Sequence, residues 1–122
     1  MKKENIIETK SYQFAIDIVK TCRQLVEKNR EFILSKQLMR SGTSIGANIK
    51  EAEHAQSKAD FLSKMNISLK EANETSYWLK LLKDTDYLSD GDFKELNDSC
   101  EELISISVKI VVTTKKSLGR LA

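Results

Sequence analysis

Three observations predict an all-α protein, an up-down-up-down antiparallel four-helix bundle. The 122 residues include no proline and only four glycines. Apolar residues recur at three- and four-residue steps over four long stretches, and the breaks between stretches are a few residues each. Sheets need many turns, and proline and glycine make turns, so their scarcity favours long helices, while short connections favour antiparallel neighbours. Apolar residues make up 40% and charged residues 31%, enough hydrophobicity to exclude a disordered chain. One domain, 1–122, is expected, because half of such a chain would bury too little surface to fold alone.

The spacing predicts a first helix over about 9–28, with Tyr12, Ala15, Ile16, Val19, Cys22 and Val26 on one face. Phe14, Ile18 and Leu25 form a second apolar line beside it. A second helix, about 32–55, carries Leu34, Leu38, Ser41, Ile45, Ile49 and Ala52. Gly42 and Gly46 interrupt it, and because glycine costs about 1 kcal/mol relative to alanine inside a helix, close approach of another backbone is expected there. The run from Ser41 to Gly46 lacks the lysine and the preceding strand of a nucleotide-binding loop.

Ser57 and Asp60 signal the start of a third helix, about 58–84, whose apolar line is Leu62, Met65, Leu69, Ala72, Ser76 and Leu79. Ser89 and the acidic Asp90 and Asp92 open a fourth, about 90–118, with Phe93, Leu96, Cys100, Leu103, Ser107, Ile110 and Thr114 at helical steps. Ile104, Val108, Val111 and Leu118 lie beside them, and this periodicity should override the strand propensity of Val111 to Thr114. The doubled stripes on the first and last helices exceed what one bundle can hide, so self-association is expected.

The residues exclude several function classes. No stretch resembles a signal-peptide core or a membrane span, so a cytoplasmic protein without membrane contact is expected. Cys22 and Cys100 fit no metal-ligand spacing and read as reduced core thiols. Glu51-Ala52-Glu53-His54 has the Glu-x-x-His spacing of di-iron bundles, but such a site takes two copies and His54 is the sole histidine. No metal or cofactor is therefore expected, nor a Ser/His/Asp or Cys/His centre, and the protein reads as non-catalytic.

Two polar rows border the apolar faces, Arg40, Ser44, Asn48 and Glu51 on helix two and Ser68, Glu71 and Thr75 on helix three. Where they meet, a structural polar seam would fix register, with Glu51 or Glu71 as the partner of Arg40. Charge is also uneven: residues 1–50 carry a net +5, residues 51–102 a net −7, and residues 103–122 four cations and no acid. The basic residues Lys109, Lys115, Lys116 and Arg120, supported by Lys36, Arg40 and Lys50, are the candidate contacts for a polyanion.

The stretch from Ser41 to Ala52, together with Ala59-Asp60-Phe61, Ser68 to Ala72 and Glu74 to Leu79, resembles the four-helix-bundle family of 23S ribosomal RNA intervening-sequence proteins. The likeness spans about Lys10 to Leu118, although many members have glycine where this chain has Ala52. It implies a homopentameric ring, encoded in some bacteria inside insertions of the large ribosomal RNA gene. A related branch, the accessory proteins of diversity-generating retroelements, implies a reverse transcriptase and nucleic acid as partners. The leading expectation is thus a homo-oligomer that binds RNA or other nucleic acid with low sequence specificity. The alternative is an assembly scaffold or protein-binding adaptor with no nucleic-acid contact.

Overall fold

A computed structural model describes the backbone of residues 3–120 and the side chains from Ile6 to Arg120; residues 1–2 and 121–122 of the expected domain lie outside the described residues. It comprises four helices, α1 (Lys3–Asn29), α2 (Leu34–Glu53), α3 (Lys58–Asp84) and α4 (Asp90–Ser117). Connections of four or five residues force each helix to run back along its predecessor. Residues paired across each seam show this directly. Cys22 donates to the Ser35 carbonyl while Ser11 faces Gly46, Thr75 meets Ser41 while Ser68 meets Ile45, and Cys100 meets Ala72 while Lys58 meets Ser117. Helices adjacent in sequence pack together and α4 closes on α1, whereas the diagonal pairs α1/α3 and α2/α4 do not approach.

Helices α2, α3 and α4 each begin where the sequence supplies acceptors for the orphan amides of the first turn. Ser57 accepts from Asp60 N–H at 3.0 Å and Ser89 from Asp92 N–H at 3.1 Å. At α2 the nearly buried Glu31 takes this part, its carboxylate accepting from the N–H groups of Ile33, Leu34 and Ser35 at 3.2, 3.1 and 2.7 Å. Burial raises the pKa of Glu31, but those three amides and the Ser35 hydroxyl outweigh it and hold the carboxyl below its usual range. At the far end of α4, Gly119 adopts φ +69°, and the N–H groups of Gly119 and Arg120 donate to the carbonyls of Lys116 and Lys115. This is the Schellman arrangement that terminates a helix.

The observed boundaries differ from expectation mainly at α1, which starts near residue 3 rather than 9. Ile7 is only 1% exposed, so the core stripe reaches back past Thr9 and holds an extra turn in place. The two apolar lines of α1 also exchange roles. Ile7, Phe14, Ile18, Cys22 and Leu25 fill the core with Ser11 beside them, whereas Tyr12 is 69% exposed and Ala15, Ile16, Val19 and Val26 are half-buried. Both lines have helical spacing, so periodicity alone does not choose between them. On α3 the expected Leu62, Met65, Ala72 and Leu79 are buried, and two positions of the line shift by one residue. Ser68 and Thr75 are fully buried while Leu69 and Ser76 sit at the edge of the core, because the two hydroxyls find partners on α2.

Candidate nucleic-acid interface

The two polar rows meet along the α2/α3 seam. Ser68 donates to the Ile45 carbonyl at 2.9 Å, and Thr75 is 3.0 Å from the Ser41 hydroxyl. Arg40 donates to Glu71 at 3.1 Å and also binds Glu74, which in turn accepts from the Trp78 indole at 3.0 Å. Glu51 pairs instead with Lys64 at 3.4 Å, about three turns along α2 from Arg40. Ser44 and Asn48 are turned onto their own helix, donating to the carbonyls of Arg40 and Ser44. Glu74 and Trp78 are thus members of the network that the sequence rows did not name. The Glu74 to Trp78 step of four residues was the signal available.

The expected basic contacts do not share one surface. Arg40 is engaged by two carboxylates on the α2/α3 side. Lys50 lies near the opposite end of α2 and pairs with Glu8 at 3.2 Å. A hydrogen bond from Glu53, then Lys50, keeps the Glu8 carboxyl low, and the same hydrogen bond raises Glu53. Lys36 stands on the first turn of α2, on the α1/α2 side. Lys109, Lys115, Lys116 and Arg120 occupy the C-terminal half of α4 and its cap. None of those four has a carboxylate within 4.0 Å among the described residues.

The fold adds a cation to this end of the bundle. Lys58 opens α3, and the antiparallel packing brings its ammonium to the Ser117 hydroxyl beside the last turn of α4. Its place near the C-terminus was illegible from the sequence, where the two residues are 59 apart. Lys115 and Lys116 also complement the negative end of α4, a structural part that does not prevent contact with a polyanion.

Among the described residues, no cluster of three or more His, Cys, Asp or Glu could hold a metal ion. No described helix is long and apolar enough to cross a membrane. The thiols of Cys22 and Cys100 are pushed up to about 12, chiefly by burial and secondarily by Glu31 and Glu101 respectively. They are unreactive core groups, each donating to a main-chain carbonyl at 3.3 Å.

The sequence model of the 23S rRNA-intervening sequence protein family matches residues 3–109. The chain belongs to that family. The solved structure of a protein of unknown function from the S23 ribosomal protein family of Bacteroides thetaiotaomicron VPI-5482 is similar at 49% identity and a TM-score of 0.89, covering 90% of this chain and 98% of that one. No curated protein matches the chain. The family match takes in the polar seam and Lys109, and stops short of Lys115, Lys116 and Arg120.

Proposed function

We propose that this protein is a non-catalytic, cytoplasmic homo-oligomer, a pentamer by family likeness, that binds RNA or other nucleic acid with low sequence specificity. The supporting observation is that the C-terminal half of α4 and its cap carry Lys109, Lys115, Lys116 and Arg120, that residues 103–122 contain no acid, and that Lys58 reaches Ser117 in the last turn of α4. One copy offers few phosphate contacts. Repetition around a ring multiplies them, and linked weak contacts bind far more tightly than single ones. Lysine and arginine contacts to phosphate carry no base information, hence the low specificity.

A second reading, an assembly scaffold or adaptor for a reverse transcriptase or other protein, is favoured by the neutralisation of Arg40 and Lys50 by carboxylates. Changing Lys115, Lys116 and Arg120 together to glutamine separates the two. Filter binding of RNA across a salt series should show a steep loss of affinity with salt for the parent, and a weaker dependence for the variant at nearly unchanged melting temperature. Absence of binding by the parent even at low salt would leave the scaffold reading in front.

A further inference from the structure

One face of α3 points away from the bundle. Asn66, Lys70, Asn73, Tyr77 and Lys80 follow alternating four- and three-residue steps, so they form a single row, and all are exposed. Lys70 and Lys80 have no carboxylate within 4.0 Å among the described residues. The row carries no acid until Asp84, where the helix ends. The flanking carboxylates of Glu71 and Glu74 are turned to the α2 seam and bound by Arg40.

Tyr77 is 61% exposed, yet its ring is supported. It stands edge to face with the Trp78 indole, the ring centroids 5.0 Å apart and the planes at 78°. That indole donates to Glu74, and Glu74 binds Arg40 of α2, so a chain of contacts anchored on a second helix backs an outward-facing aromatic ring.

We infer that this row is a contact for single-stranded nucleic acid, with Tyr77 stacking on a base and Lys70 and Lys80, on either side of it along the helix, meeting phosphates. An aromatic ring between cations suits a single strand, whose bases are free to stack, and tolerates any sequence because every base has a π face. A protein surface fits less well, because lysine is depleted in protein interfaces and the two unpaired ammonium groups would lose their water. The inference rests on the nucleic-acid binding proposed above and adds which form of nucleic acid is preferred and which residue selects it.

Trp78 is the chain's one tryptophan, so its fluorescence reports on this face directly. Titration of the parent with a single-stranded RNA oligonucleotide at low salt should change that emission saturably. By filter binding, Tyr77→Ala should weaken affinity for the single strand by about five- to a hundredfold. Its salt dependence, and its affinity for the duplex formed with the complementary strand, should match the parent's, because no phosphate contact is removed. Tyr77→Phe, which keeps the stacking face, should bind as the parent does. Tyr77→Gln, also without a ring, repeats the comparison should Tyr77→Ala lose its helical circular dichroism. A ring-less variant that binds the single strand as tightly as the parent, or that loses single strand and duplex alike, overturns the inference while leaving the proposed nucleic-acid binding standing. A parent that binds neither form at low salt overturns both.

Discussion

Glu31 stands ahead of α2 where the other capped helices place a serine, and it satisfies three first-turn amides at once. Ser57 and Ser89 were legible as caps because short oxygen-bearing side chains followed by acids mark helix starts. Glu31 was not, since its longer side chain caps from outside the usual position and depends on the turn at Arg30, where φ is +52°. Its carboxyl is held below the ordinary value of 4.5, so the charged form stabilises the fold above that pH and the contribution is lost as pH falls through the lower, folded-state value. Glu31→Gln should therefore cost about 1 kcal/mol near pH 7. In urea unfolding the gap to the parent should narrow between pH 7 and an acidic pH below the lowered folded-state value, where the parent too carries a neutral side chain. An equal gap at both pH values would show that charge is not what caps α2.

At the scale of elements, the glycines of α2 illustrate what sequence conveys and where it stops. Their cost in a helix implied a close neighbour, and α1 supplies it. An added Cβ on Gly46 would lie 3.4 Å from the Ser11 carbonyl oxygen, and on Gly42 it would lie 2.9 Å from both γ carbons of Ile18. At Gly46 the neighbours are the Ser11 hydroxyl at 3.3 Å and the Ser11 main chain, at Gly42 side chain alone, a distinction the sequence does not contain. Ile18 is β-branched and held to one rotamer in its helix, so it yields little. Gly42→Ala gains about 1 kcal/mol of helix propensity but incurs about 1–3 kcal/mol of overpacking. It should lower the melting temperature in a thermal scan, and adding Ile18→Ala should remove most of that loss. If Gly42→Ala alone raises the melting temperature, α1 and α2 are less tightly apposed than the distances indicate.

For the whole molecule, assembly couples stability to concentration. On the proposed homo-oligomer, contacts made only between copies add stability by mass action, so the melting temperature should rise as protein concentration increases. Differential scanning calorimetry over a hundredfold concentration range would detect it; a constant value throughout would mean that the monomer holds its own stability and that the uncovered stripes serve another end.

The sequence by itself determined the helical class, the number of helices, most of their boundaries and the family, because each follows from local periodicity, caps and motif residues. It also named Arg40 and Glu71, which meet across 31 residues, because both stand beside apolar stripes that had to pack. Only the tertiary structure decided which of α1's two stripes enters the core, that Glu74 rather than Glu51 completes the Arg40 network, and that Lys58 joins the basic end. These are relations between helices distant in sequence, and helical spacing fixes which residues share a face without fixing what that face meets.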